Sequence, residues 1–412
     1  MFKRHKIAIV LVLISCGFVS AAATKLVRNY LAYRRATDYR VLDRSVTGDR
    51  FELTLLSAPY HLDKIYKSMQ GPCGNQPRLR LAEGAPLNET LYLTGIESQI
   101  VDAESVEPTS NEFYCHSSLT FCPETTSPEK HNASFPVPRH NDWRLFTLVP
   151  GRWTIHLPDG FGIPIKNATD VDFFTMSLNQ NPGLPPRAIR MRTTITGRRA
   201  GANLRPLFRR VLCVYQQHAD DQSKPAAAAD PHVGLHQGAQ CAADCKRKQL
   251  GSTPSRFGSL TAADKPVHPG QSCCVSNASA GGIQQRFGKN NTIHWMVPPG
   301  RHVYRTEVTP QLNLPFSTKI HYATGHLHPF GKSVRLVDME TGKTVCEIES
   351  RDRTDRLGVE WMSEVTSREG IAIGRKRRYE LVAEYDNTSS EPIDAMAILY
   401  FYALDEAPAN GG

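Results

Sequence analysis

Thr324-Gly325-His326-Leu327-His328-Pro329-Phe330-Gly331 sets two imidazoles on either side of one apolar residue. Side chains on a β-strand alternate between faces, so His326 and His328 point the same way. That spacing suits two ligands of one metal ion. The preceding run, Phe316 to Tyr322, reads as strand, and Ser333 to Val337 reads as the next. A soft donor follows much later, Met396 in Asp394-Ala395-Met396-Ala397-Ile398-Leu399-Tyr400-Phe401-Tyr402. Two imidazoles and a thioether favour copper, above all Cu(I), because thioether sulfur is soft and polarizable. The plainer reading is a pair of packed or surface histidines and a core methionine.

Around this stretch the chain keeps to strands. Ile293 to Val297 precedes the turn Pro298-Pro299-Gly300, and Val303–Val308, Thr344–Ile348, Tyr379–Tyr385 and Ala395–Tyr402 follow the same pattern. We read residues 286–408 as one β-sandwich. His321 lies five residues before His326, so a regular strand aims it at the opposite face, and only a bulge would bring it round.

Upstream, residues 217–285 break the pattern with Ala226–Ala229, many small and polar residues, and four cysteines. They read as an inserted loop or linker stapled by disulfides. With His232 and His236 in the same stretch, Cys241-x-x-x-Cys245 offers a zinc alternative, but the commoner two-residue gap is missing and an oxidising compartment favours disulfides. Residues 41–216 read as a first β-sandwich. Its strand signals are Phe51–Leu55, Leu91–Val101, Phe113–His116, Leu119–Cys122, Trp143–Val149, Trp153–Leu157, Phe173–Leu178 and Ala188–Thr196. Pro and Gly recur between them, and no amphipathic helix stands out, which is the signature of an antiparallel all-β protein. The eight arginines from Arg187 to Arg210 include no acid among them and read as a solvated strand face.

The chain of 412 residues carries a net charge of +9, but the excess is at one end. Residues 1–40 hold eight Lys/Arg and one Asp, or +7, which leaves 41 basic and 39 acidic side chains, or +2, for the rest. A nearly neutral body argues against a nucleic-acid partner. The basic start Met1-Phe2-Lys3-Arg4-His5-Lys6 and the apolar run Ile7–Ala23 read as a signal peptide or membrane anchor over 1–24, followed by a basic linker over 25–40. Three endings fit: cleavage after Ser20-Ala21-Ala22-Ala23, lipidation of Cys16 in Leu13-Ile14-Ser15-Cys16, or a retained span of minimal length. Each places the body outside the cytoplasm, secreted, periplasmic or on the cell surface, with the membrane as a partner through residues 7–23. Ten cysteines fit an oxidising compartment, where disulfides form. Six sequons, at Asn88, Asn132, Asn167, Asn277, Asn290 and Asn387, would matter in a eukaryotic secretory route.

The ordered set Val297-Pro298-Pro299-Gly300, His326-Leu327-His328, Gly331, Val334 and Met396 resembles the C-terminal domain of the copper type II, ascorbate-dependent monooxygenases, such as peptidylglycine α-hydroxylating monooxygenase. The chain is more similar to the stress up-regulated nodulin family of plants and its microbial relatives. That resemblance rests on Gly325–His328, Thr344-Val345-Cys346, Tyr379–Tyr385, Met396–Leu404, Cys273-Cys274 and Leu157–Ile163. It implies two antiparallel jelly-roll sandwiches in tandem, each with one copper position. It also implies copper on His326, His328 and Met396, ascorbate as reductant, and a small-molecule or peptide substrate.

The first copper position departs from the monooxygenase pattern. An adjacent His-His pair is replaced by Cys115-His116, and the later strand offers Asn179 and Gln180 where a third His belongs. Cys115 and His116 remain as a weak second metal position, with a Cys115–Cys122 disulfide as a competing fate. Three functions are consistent with the sequence: a copper-dependent oxidoreductase, a non-catalytic copper-binding protein, and a metal-free interaction module. No Gly-x-Ser-x-Gly elbow or His-Glu-x-x-His helix supports a hydrolase.

Overall fold

The structure, a computed structural model, describes residues 39–66, 71–121, 144–199, 203–217 and 291–406. The anchor segment 7–23, most of the basic linker and the insertion from 218 onward lie outside the described residues. No helix among the described residues is long and apolar enough to cross a membrane. What is described is almost entirely β. The exceptions are one 3-10 turn at Asn111–Phe113 and a four-residue helix at Thr309–Leu312.

The strands are antiparallel but for one contact. The first half holds β1 (Tyr39–Thr47), β2 (Arg50–Ser57), β5 (Thr90–Asp102), β9 (Phe161–Lys166) and β11 (Arg187–Arg198), in the spatial order β1-β2-β11-β5-β9, with the short β3 (Tyr60–Leu62) beside β11 and β8 (Thr154–His156) beside β5. Facing strands form a second sheet, β4 (Cys73–Leu79), β10 (Val171–Ser177), β6 (Tyr114–Phe121) and β7 (Arg144–Leu148), in the order β4-β10-β6-β7. The second half pairs β12 (Arg205–Cys213), β24 (Ala397–Leu404), β17 (Thr318–Leu327) and β21 (Glu364–Ile373). Its companion sheet runs β16 (Gly300–Glu307), β22 (Tyr379–Asn387), β18 (Gly331–Asp338), β19 (Thr344–Asp352) and β20 (Val359–Met362). A short parallel contact, Arg205 beside Phe161 and Pro206 beside Gly162, joins the two halves into one sheet path.

The burial of each strand follows from its sequence. In β11, Ile189, Met191, Thr193 and Ile195 face inward while Arg190, Arg192, Thr194 and Thr196 are less buried, the period of two that a half-solvated strand needs. Strand β24, Ala-Ile-Leu-Tyr-Phe-Tyr-Ala-Leu, is buried on both faces throughout, and its sequence is correspondingly apolar without alternation. Two hydrophobic cores result. One gathers Leu53, Ile96, Phe146, Phe173 and Ile195; the other gathers Leu212, Val297, Leu336, Ile348 and Phe401. Tyr322 and Tyr402, from strands of the second half, pack into the first core.

Strand β12 falls within residues 41–216, which the sequence assigns to the first sandwich. Here it pairs with β24 and sends Phe208, Val211 and Leu212 into the second core. After β12 the chain enters β13 (Gln216–Gln217), which pairs with β14 (Asn291–Thr292). The departure and return points of the intervening segment are therefore hydrogen-bonded neighbours. An insertion with adjacent ends costs the fold little, because closure entropy grows only slowly with loop length.

The arginines between 187 and 210 have structural partners. Arg198 pairs with Asp49, Arg199 with Glu89 and Arg205 with Glu406, while Arg190 donates to the carbonyls of Ser57 and Ala103. Two sequon asparagines are also committed. The Asn167 amide donates to the carbonyls of Ala85 and Pro86, and the Asn387 amide to those of Val297 and Glu391. Both side chains are buried, so neither is open to glycosylation in the folded chain. Asn88 is exposed.

Candidate metal centre

The register of β17 against β24 brings the distant donors together. His326 lies opposite Ile398 and Leu327 opposite Ala397, and His328 and Met396 are the residues next beyond the end of this ladder. Directly opposed residues of an antiparallel pair share a face. His326, His328, Met396 and Ile398 all line one cleft, with a cavity volume of about 40 Å³. The His326 and His328 rings stand edge to face with centroids 5.2 Å apart.

Met396 does not lie inside a closing strand that begins at Ala395, as the sequence suggests. It sits between β23 (Ile393–Ala395), paired with β15 (Trp295–Val297), and β24. Its carbonyl accepts a 2.7 Å hydrogen bond from the buried hydroxyl of Tyr385, and its side chain is buried. The change of partner at Met396 explains the break: β23 pairs with β15, whereas β24 pairs with β12 and β17.

The turn after His328 is fixed from behind. Phe330 adopts φ 69°, a left-handed conformation that is costly for a bulky residue. The carboxylate of Asp352 accepts the Phe330 N–H at 3.0 and 3.1 Å, and the Gly331 N–H donates to the His328 carbonyl at 3.1 Å. A Cβ on residue 331 would fall 2.8 Å from Leu327 Cβ, so glycine is required there. Replacing Asp352 by Ala is expected to cost about 1–3 kcal/mol, by leaving the half-buried turn donor unmet. Urea unfolding of the variant measures that cost.

The opposite wall of the cleft comes from the first half. The pairing of β10 with β6 shifts between Met176–His116 and Ser177–Tyr114, leaving Cys115 as the extra residue of a bulge. A bulge lets two consecutive side chains turn the same way, and both Cys115 and His116 line the cleft. Cys115 carries a thiol, with its sulfur 3.2 Å from His116 Nδ1, and Cys122, the disulfide partner expected from the sequence, lies outside the described residues. It packs in a small buried cluster with Cys73, Phe174, Met176 and Leu178, and Cys73 is itself disulfide-bonded. Gln180 lines the cleft, while the Asn179 amide is spent on the Lys64 carbonyl.

Two of the imidazoles facing the cleft, His116 and His326, are set for neutrality. Burial, with repulsion from Arg144, pushes His116 down to about 3. Burial acts first on His326 as well, followed by the charges of His328, His116, His294 and Arg144, and holds it well below the usual histidine range. His326 Nδ1 and His116 Nε2 are buried and have no hydrogen-bond partner among the described residues. Neutral imidazoles with unspent nitrogens on two facing walls are the state that a soft or borderline metal requires.

His321 is at a bulge, since β17 slips between Ile320 and Tyr322 against both neighbours. The bulge does not deliver it to the cleft. Its ring stacks on Phe161 with centroids 4.0 Å apart, and Nδ1 lies 2.9 Å from the Ser367 carbonyl.

Two residues at the centre were not singled out from the sequence, His294 and Asp394. The Asp394 carboxylate lies 3.1 Å from His328 Nδ1 and 3.3 Å from His294 Nδ1. Burial works to raise the Asp394 pKa, but the charges and hydrogen bonds of His294 and His328 outweigh it and hold the group below the carboxylate range. Asp394 had a signal available, being two residues from Met396 and hence on the same face of an extended chain. His294 had none.

Cross-links between the halves fix the two walls of the cleft. Arg356 pairs with Glu112 at 2.8 Å, and the Asn181 side chain exchanges two 3.0 Å hydrogen bonds with the Leu357 backbone. Met362 N–H donates to the Gly151 carbonyl at 3.0 Å.

No family model and no curated protein matches the chain. Among solved structures, it is similar to one described as the atomic structure of Sulfolobus Turreted Icosahedral Virus. Identity there is 10% and the TM-score 0.17, with 85% of this chain and 61% of that one covered, under two thirds of its length. Coconut allergen cocosin gives 10% identity, 89% and 86% coverage and a TM-score of 0.13. Recombinant pro-11S globulin of pumpkin gives 9%, 91%, 87% and 0.14. None of these likenesses is close enough to fix the topology or a function.

Proposed function

We propose that the chain is an exported copper-binding protein built of two jelly-roll-like sandwiches in tandem, with one copper ion held by His326, His328 and Met396. The observation that carries this reading is the convergence of those three side chains on one cleft, with His326 Nδ1 buried and unsatisfied there. The donor chemistry fits: two imidazoles and a thioether suit Cu(I). Asp394 occupies His328 Nδ1, which orients the ring and leaves Nε2 to bind. Tyr385 holds the backbone that carries Met396.

Bound copper would supply oxygen chemistry toward a small-molecule or peptide substrate, with ascorbate as the electron source. The chain's part is to present three donors on rigid strands, to exclude water with Leu327 and Ile398, and to set Cys115 and His116 on the facing wall. These last two form the weaker second position. Two separate cores support the tandem arrangement, and the apolar run Ile7–Ala23 supports export. A metal-free interaction module is the second reading, favoured by His328 already being held by Asp394 through hydrogen-bond contacts.

The test is copper content. The full chain, loaded with copper and dialysed, is expected to retain one ion per chain by elemental analysis. Two would mean that Cys115 and His116 also bind. None would leave the metal-free module. Oxygen consumption with ascorbate, above that of free copper, separates an oxidoreductase from a copper carrier.

A further inference from the structure

The donors behind His328 do not belong to the soft set. Among the described residues, His294, His328 and Asp394 are the place where three His, Cys, Asp or Glu side chains bring ligand atoms within 4.8 Å of one another. Their separations of 3.1 and 3.3 Å, carboxylate to imidazole, match neighbouring ligands in one coordination shell as well as they match hydrogen bonds. Strand pairing imposes the arrangement: Trp295 lies opposite Ala395 and Met296 opposite Asp394, which carries His294 alongside the end of β23. Asp394 is largely buried, and no lysine or arginine among the described residues forms an ion pair with it. Among the described residues its carboxylate is met by imidazoles alone, so with both rings neutral the pocket bears a negative charge that a cation would neutralise.

We propose that His294, His328 and Asp394 form a second cation position, distinct from the His326–Met396 pair, which takes a borderline divalent ion of the zinc class. Two nitrogens and one carboxylate oxygen, without sulfur, favour such an ion over Cu(I). Three protein ligands leave a fourth position for water or another group. His328 is common to both positions: zinc takes Nδ1 once the ring proton has moved to Nε2, copper takes Nε2 with the proton on Nδ1, and holding both ions at once requires loss of that proton to solvent. His328 Nδ1 faces Asp394, and the ring borders the cleft. The proposal does not depend on the copper reading, because the ion can be added to copper-free protein.

The experiment uses the full chain stripped with a chelator and titrated with zinc chloride alone by calorimetry, with cobalt(II) as a spectroscopic substitute. One zinc per chain is expected, and a cobalt spectrum with ligand-field bands but no thiolate charge-transfer band. Asp394→Asn and His294→Gln should each weaken zinc by more than about 100-fold, exceeding the loss usual for an outer-shell partner. His326→Gln and Cys115→Ser should leave it unchanged. Circular dichroism and the thermal midpoint identify any variant that fails to fold, and the cobalt spectrum of the unaltered chain reads the ligand set without a variant. The proposal is overturned by the absence of saturable zinc binding, by a thiolate band in the cobalt spectrum, or by zinc binding that survives Asp394→Asn and is lost in His326→Gln. A failed copper titration with intact zinc binding would sink the copper reading alone.

Discussion

Changing His326 to Ala is expected to reduce Cu(I) affinity by at least about 100-fold, because one of three donors is removed from a site that water cannot easily complete. Competition with a chromophoric Cu(I) chelator measures it. The structural cost should be small, since His326 Nδ1 already lacks a partner and its ring borders the cleft. Met396→Leu is the informative companion. Leu and Met have similar volumes, so this buried position should lose under about 1.5 kcal/mol of stability. The thioether selects for Cu(I), whereas imidazoles serve Cu(II) as well. Met396→Leu should therefore weaken Cu(I) while leaving Cu(II) close to its original affinity, and His326→Ala should weaken both. Equal losses of the two oxidation states in Met396→Leu would remove the sulfur from the ligand set.

The sequence reveals the donors better than their surroundings. His326 and His328 are readable because one strand sets their relation, and alternation is a local rule. Met396 is harder. Its position beside His328 depends on the pairing of Leu327 with Ala397 across 70 residues, which no local pattern encodes. The bulge at Cys115 is invisible for a related reason: a bulge is a mismatch between two strands, and β6 alone reads as regular. His294 lies just before the short strand β15 and reaches the centre only through the pairing of β15 with β23.

The same distinction governs the fold. Strands with a half-solvated face, such as β11 and β19, announce themselves by alternation. Strand β12 alternates too little to say which core it serves. Its assignment is decided by the ladder to β24, which draws Phe208 and Leu212 into the second half. The strand β1, at the edge of the sheet, is largely exposed and carries no apolar face to read. Burial periodicity reports that a segment is a strand, while its neighbours are set by contacts that are distant in sequence.

The cleft itself depends on how closely the two halves approach, and Gly151 is a point of close approach. It has φ 79°, and a Cβ there would lie 2.8 Å from Val359 Cγ1, 2.9 Å from the Trp361 carbonyl carbon and 3.0 Å from the Met362 nitrogen. Two of those three are backbone atoms of the second half and cannot turn aside as a flexible side chain would. Gly151→Ala therefore combines left-handed strain, about 1–3 kcal/mol, with overpacking of about 1–3 kcal/mol. A destabilisation of about 2–6 kcal/mol is expected. Gly160→Ala separates the two costs, because Gly160 has φ 88° and open space around its missing Cβ. It should show the backbone strain alone. Urea unfolding of both variants gives the difference, which measures the contact between the halves. Gly151→Ala should also disturb the hydrogen bond from Met362 to the Gly151 carbonyl and move Val359, which lines the cleft. Copper and zinc affinities measured on the folded fraction of Gly151→Ala then tell whether the facing wall contributes to either ion. If the ligands all come from the second half, both affinities should hold while stability falls. A fall in copper affinity alone would mean that Cys115 or His116 reaches across to the ion.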